Sequence, residues 1–261
     1  MTIAERIRNP RPGVIEYPDS DGKPMAESDI HRINATQTID GMMIYLRDHP
    51  DGYVSGNNFI FYEEGNPKKS VSPDAYVVFG VPSHIRRTFK VWEEGGHVPD
   101  VVFEFTSRKT RREDDRIKYP LYEKVLKVKE YFRFDPEGEY LKPRLQGFRL
   151  NAGAYEPLEM KNGRLHSEVL GLELVVEGEY LRLFDPLKQE LLPIYEETVN
   201  RARYEAEERR RAERLAQREA QDRQRAEQRA KEQQQRAEQA EAEIGRMREE
   251  LEALRRKVQR E

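Results

Sequence analysis

Two runs of β-branched and aromatic residues carry acidic side chains where strands are expected, and this narrows the possible folds more than anything else in the chain. The runs are Ser72-Pro73-Asp74-Ala75-Tyr76-Val77-Val78 and Val98-Pro99-Asp100-Val101-Val102-Phe103-Glu104-Phe105-Thr106-Ser107. Their composition predicts neighbouring strands, and an ionised carboxylate inside such a strand is costly to bury unless something compensates it. A divalent cation would do so, and oxygen ligands of this kind suit Mg²⁺ or Mn²⁺ rather than Zn²⁺. Spacing decides which carboxylates can share it. Asp100 and Glu104 are separated along one strand by roughly 13 Å, too far to chelate one ion. Asp74, facing Glu104 from the adjacent strand, can bring its Cβ within about 5 Å. Asp74 and Glu104 are therefore the expected metal ligands, and Asp100, following Pro99, reads as a turn or cap residue.

Thr106 stands two residues after Glu104, where a Glu-x-Lys arrangement would put a lysine. The segment from Arg112 to Lys124 reads as a helix, with Ile117, Leu121 and Val125 spaced for one buried face. Lys118, at the edge of that face, could reach back to the carboxylates.

Charge is unevenly distributed. Residues 196–261 contain 18 Lys/Arg and 17 Asp/Glu, leaving residues 1–195 with 28 basic and 32 acidic side chains. A net-acidic body is not the usual footprint of a nonspecific nucleic-acid binder. Basic residues nevertheless gather at Arg108-Lys109-Thr110-Arg111-Arg112, directly after the second strand, and at Arg86, Arg87 and Lys90. Either group reads as a phosphate contact or as a solvated loop. The absence of cysteine removes disulfides, thiolate chemistry and Cys-zinc sites. Without a signal-like N-terminus or an apolar run of about 18 residues, a cytoplasmic protein with no membrane partner is expected.

Three regions follow from patterning. Residues 1–25 are rich in Pro, Gly and Asp and read as an irregular arm. Residues 26–195 hold the mixed elements. Ala26 to His49 is expected to be a helix burying Ile30, Ile33, Ile39, Met43 and Leu46. Glu27, near its start, is a possible third metal ligand or simply an acid favoured by the helix dipole, and His31 reads as a packed or surface residue. Tyr53-Val54 with Phe59 to Tyr62 should begin the sheet. Strands at Asp74–Phe79, Val101–Thr106 and Glu130–Phe134 follow, then antiparallel strands from Tyr140 to Leu183. Residues 196–261 have no proline and one glycine. Ala226, Ala230, Gln233, Ala237, Ala240, Ile244, Met247, Leu251, Leu254 and Val258 follow 4-3 spacing, the seam of a left-handed coiled coil and hence of a homo-oligomer. The alternative is a single charged helix held by i,i+4 pairs.

The segments Tyr17-Pro-Asp-Ser-Asp-Gly-Lys-Pro-Met-Ala-Glu27, Val54-Ser-Gly-Asn57, Tyr62-Glu-Glu-Gly65, Trp92-Glu-Glu-Gly95, Glu104-Phe-Thr-Ser107, Arg111-Arg-Glu-Asp114 and Glu130-Tyr-Phe-Arg-Phe-Asp-Pro136 recur in an order and spacing that resembles the Uma-two-type restriction endonuclease family, within the PD-(D/E)XK nuclease superfamily. The resemblance covers about residues 10 to 192. It implies an α/β fold, a restriction-endonuclease-like mixed sheet flanked by helices, to which this chain adds the long C-terminal coiled-coil helix. It also implies Mg²⁺-dependent phosphodiester hydrolysis acting on DNA, with Asp74 and Glu104 at the metal and Lys118 as a displaced catalytic lysine. One departure stands out: Val125-Leu126-Lys127-Val128 occupies a place where a Gly-Val turn is expected after the helix. The alternative function is a nuclease-like scaffold that has lost catalysis and assembles through its coiled coil, a reading favoured by the missing strand lysine and the acidic body.

Overall fold

Ala75–Phe79 and Val101–Phe105 pair antiparallel, in the register Ala75↔Phe103, Tyr76↔Val102 and Val77↔Val101, at the centre of a six-stranded sheet. A computed structural model describes residues 15–20 and 28–258, and the chain divides into one unit of Met1–Tyr195 and a second of Glu196–Glu261. In the first unit the strands run in chain order β1 (Gly52–Ser55), β2 (Ile60–Phe61), β3 (Ser70–Val71), β4 (Ala75–Phe79), β5 (Phe89–Lys90), β6 (Val101–Phe105), β7 (Glu130–Phe134), β8 (Leu145–Asn151), β9 (Ala154–Pro157), β10 (Arg164–Ser167), β11 (Leu172–Glu177), β12 (Tyr180–Asp185) and β13 (Glu190–Leu191). The large sheet has the order β1-β4-β6-β7-β8-β9. Only β6 and β7 are parallel within it, and such a pair needs a crossover. Helical residues 111–125 provide it.

Alternation along the central strands sorts side chains into two cores. Val77, Val101, Phe103, Phe105, Phe132 and Phe134 face a cluster shared with helix α1 (Asp29–Tyr45) and the antiparallel sheet β10-β11-β12-β13. Tyr76, Val78, Val102 and Tyr131 face the other way, into a cluster that includes Tyr122 and residues of the small sheet β3-β2-β5. The architecture is mixed α/β. Glu104 has the parity of Val102, so its carboxylate is delivered to the side where the crossover lies.

Three expectations change. Phe59 to Tyr62 does not extend the main sheet: β2 pairs antiparallel with β3 and parallel with β5. Helix α1 begins at Asp29, and its buried positions are Asn34, Ala35, Thr38, Gly41 and Met42, whereas Met43 is 55% exposed. The face is rotated because a polar residue occupies it. Asn34 donates from Nδ2 to the Glu179 carbonyl at 3.0 Å and accepts from the Leu181 amide at 2.8 Å, fastening the helix to β12.

The third change concerns the crossover. After a single turn, α2 (Arg111–Glu113), the chain winds as π-helix over Asp114–Lys118 and again over Leu121–Val125. Ile117 and Val125 are 62% and 57% exposed, while Asp114, Tyr122 and Leu126 are buried. The wider π turn carries i→i+5 bonds, so the inward face runs through Asp114, Lys118, Tyr122 and Leu126. Lys127 ends the segment at φ 53°, the left-handed conformation a glycine would adopt more easily at this departure from the family pattern.

The second unit consists of one helix, described from Tyr195 to Val258 as α3 with the first unit's last residue at its start. Arg201–Glu205 and Arg209–Glu213 pair at i,i+4 along it, and Leu215, Ile244 and Met247 are exposed. Among the described residues, no helix is long and apolar enough to cross a membrane.

Candidate active site

The β4–β6 register places Asp74, one residue before β4, beside Glu104. Asp74 Oδ2 accepts the Phe105 amide at 2.7 Å, which fixes its carboxylate against the end of β6. Glu104 is 2% exposed. Its Oε1 accepts the Tyr122 hydroxyl at 2.6 Å and its Oε2 the Lys118 ammonium at 2.7 Å, with Lys118 also donating to the Ser72 carbonyl at 3.4 Å. The lysine absent from position 106 is thus matched by one arriving from the π-helical crossover.

Electrostatics follow from this crowding. Burial pushes the Glu104 carboxyl well above its usual range, against the pull of Lys118 and with a further push from Asp74 and Asp114. Burial raises Asp74 as well. Burial alone would lower Lys118, but Glu104, Asp74 and Asp114 together hold it above the ordinary lysine value. One ammonium faces three carboxyl groups here, and this excess of acidic oxygens suits a divalent cation. Among the described residues, no three His, Asp or Glu side chains form a closed metal site. Mg²⁺ nonetheless fits the donor set, because it is commonly held by one or two carboxylates while keeping several waters and substrate phosphate oxygens. Glu27, the third expected ligand, lies outside the described residues.

Thr106 has a different use. It is fully buried, its hydroxyl bonds to Asp114 and Tyr140, and its carbonyl accepts His31 Nε2 at 3.2 Å. Thr110 also donates to Asp114, at 3.0 Å. The crossover, β6 and α1 are thereby tied together around a cleft of about 310 Å³ whose wall includes His31, Asn57, Asp74, Glu104, Asp114 and Lys118. His31, Asp114 and Tyr122 were not among the expected site residues. An acid four residues before Lys118 and a tyrosine four after it were the available signal.

Asp100 stands apart. Its Oδ2 accepts the Phe79 amide at 2.7 Å and its Oδ1 meets Lys129 at 2.7 Å. The basic groups also separate. Arg86 is engaged by Glu94 and lies over the Tyr53 ring, Arg87 pairs with Asp19, and Lys90 with Glu93. Those three are structural pairs rather than a free phosphate site. Lys109, in contrast, lines the cleft.

Gly56 secures Asp74 from the opposite side. A Cβ there would lie 2.1 Å from the Asp74 carbonyl oxygen and 2.6 Å from Ile39. Backbone cannot yield as a side-chain tip can, so Gly56→Ala is expected to displace Asp74 and destabilise the fold by about 1–3 kcal/mol. Thermal denaturation measures this, and an unchanged midpoint would contradict the close approach.

Comparison with known proteins adds to this picture. Among solved structures, the chain is similar to a putative nuclease belonging to DUF820 from Anabaena variabilis ATCC 29413, at 14% sequence identity and a TM-score of 0.41, covering 65% of this chain and 90% of that one. No curated protein matches the chain. Residues 5–178 match the family model Uma2, described as "Putative restriction endonuclease". The matched span includes Asp74, Glu104, Lys118 and the crossover that carries the lysine, and the chain belongs to the Uma2 family.

Proposed function

We propose that the protein is a metal-dependent endonuclease that hydrolyses phosphodiester bonds in DNA, using Asp74, Glu104 and Lys118. The observation that carries this reading is the convergence of two strand carboxylates and a crossover lysine in one cleft, with Lys118 Nζ 2.7 Å from Glu104 Oε2. Asp74 and Glu104 would hold Mg²⁺ or Mn²⁺, which when bound supplies charge neutralisation at the scissile phosphate and a water acidic enough to attack near neutral pH. The Phe105 amide and the Tyr122 hydroxyl fix the two carboxylates before substrate arrives. Lys118 places a permanent positive charge where phosphate oxygens gain negative charge in the transition state. The same lysine supports an enzyme over a noncatalytic scaffold, since the strand position it replaces is filled by Thr106. Purified protein should nick supercoiled plasmid with Mg²⁺ or Mn²⁺ and not with EDTA. Failure with both metals, by folded protein, would count against catalysis.

The raised carboxyls give the metal reading a test independent of cleavage. A carboxyl whose folded pKa is raised contributes stability that is complete below its unfolded value of about 4 and lost as pH rises through the folded value. Asp74 and Glu104 both shift in this direction. Metal-free protein therefore loses stability on their account as pH climbs from the acid side, and a bound cation returns it. The increase in Tm on adding Mg²⁺ should grow as pH rises above about 4, the unfolded carboxyl value. An Mg²⁺ effect independent of pH, or equally large in Glu104→Gln, would contradict binding at these carboxylates.

We propose also that residues 196–261 assemble copies of the chain through the 4-3 seam. Full-length protein should then be a dimer or larger by light scattering, and protein ending at Tyr195 a folded monomer. A monomeric full-length protein would refute the seam.

A further inference from the structure

A second depression opens beside the cleft and shares Ser72, Glu113 and Lys118 with it. It has a volume of about 840 Å³. Lys68, Lys69, Arg116 and Lys124 line it, together with the rings of Phe59 and Tyr62 and the aliphatic side chains of Ile117 and Val125. Lys68, Lys69 and Arg116 form no ion pair among the described residues, and Lys124 reaches only Glu123, at 3.9 Å. Ile117 and Val125 are the residues that the π-helical winding turns outward.

These four cations outnumber the lining carboxylates of Glu63 and Glu113, and an excess of positive charge beside apolar and aromatic surface is informative. The backbone of a duplex presents phosphates and sugars and keeps its bases stacked inside, so it would match the cations and leave the apolar surface facing water. A strand with unpaired bases offers both parts, phosphates for the cations and base faces for the rings and aliphatic groups, which is the usual composition of a single-strand groove. Continuity through Lys118 places such a strand directly on the proposed catalytic lysine.

We propose that this groove binds a single-stranded DNA flank leading into the catalytic cleft. The inference rests on the nuclease reading of that cleft and specifies its substrate as DNA with an unpaired segment.

Binding in EDTA separates this inference from catalysis. Fluorescence anisotropy would use full-length protein with fluorescein-labelled oligo(dT) of about 20 nucleotides, and with a duplex of the same length, across a salt series. Three outcomes are expected. Oligo(dT) binds more tightly than duplex. The triple variant Lys68→Gln, Lys69→Gln, Arg116→Gln lowers the slope of log K against log salt by about 2, at about 0.7 per phosphate contact on a single strand. Ile117→Ser with Val125→Ser weakens oligo(dT) about threefold or more while leaving that slope unchanged, because it removes apolar contact and no charge. A control triple, Arg47→Gln, Lys161→Gln, Lys188→Gln, removes the same charge elsewhere and should leave the slope within error. Equal or tighter duplex binding, an unchanged slope in the groove triple, an equal slope loss in the control, or unaltered binding in the Ile117 and Val125 variant would each overturn the proposal. If these expectations hold but no DNA is ever cut, the groove stands and the catalytic reading fails. If plasmid is cut through Asp74 and Glu104 while the groove variants bind oligo(dT) as wild type does, the reverse applies.

Discussion

Asp74→Ala and Glu104→Ala are each expected to reduce Mg²⁺-dependent plasmid cleavage at least about 1,000-fold, since a lost cation forfeits several kcal/mol of charge stabilisation and each 1.36 kcal/mol is tenfold in rate. Neither should unfold the protein. Each change removes a carboxylate whose ionised form the site disfavours, as the raised pKa of both groups indicates. Glu104→Ala does deprive Tyr122 and Lys118 of an acceptor, but Lys118 keeps Ser72 and the neighbouring charges of Asp74 and Asp114. Asp100→Ala is the contrasting variant. It removes the acceptor of the Phe79 amide and the partner of Lys129, and Asp100 is not part of the cleft lining, so the change should cost stability and leave much of the activity. Plasmid nicking and far-UV circular dichroism on all three separate the effects. Loss of activity in Asp100→Ala alone, with every variant folded, would mean that the wrong strand pair has been assigned to the metal.

The strands were legible because their signal is composition. Ala75 to Phe79 and Val101 to Phe105 are near-continuous apolar runs, and a carboxylate within such a run is conspicuous. The antiparallel register then brings Asp74 and Glu104 together by parity alone. The crossover was legible only in part. A reading at the ordinary helical period assigns Ile117 and Val125 inward, and both point out, because the chain takes π turns there and fills its inward face with Asp114, Lys118 and Tyr122. Two of those three are charged, so hydrophobic periodicity could not reveal that face. Helix α1 hid its orientation in the same way: Asn34 lies on the buried side, where hydrogen bonds to the Glu179 carbonyl and the Leu181 amide replace apolar packing. Thr106 read simply as a missing lysine. Its link to Asp114, Tyr140 and His31 involves residues 8, 34 and 75 positions away, and no local pattern records such contacts.

Lys118→Ala should reduce cleavage at least about 100-fold while leaving Mg²⁺ binding intact, in line with the loss of one positioned catalytic group. The Lys118 side chain is 13% exposed and its ammonium contacts Glu104 directly, so its removal takes away the lysine that touches Glu104 and leaves both carboxylates in the wall. Charge balance predicts the direction of the metal effect: without Lys118 the cluster is more negative, and Mg²⁺ should bind as well or better, read by its Tm increase. Lys118→Arg separates charge from placement, because a guanidinium keeps the charge but its rigid fork does not reproduce a compact ammonium. Partial recovery in Arg with none in Met would assign the effect to charge. A Lys118→Ala enzyme that cleaves at the wild-type rate would leave the cleft without its proposed transition-state cation. If the variant instead lost Mg²⁺ binding along with cleavage, Lys118 would be a positioning residue for Glu104, and the 2.7 Å contact would serve the geometry of the carboxylate rather than the chemistry at phosphorus.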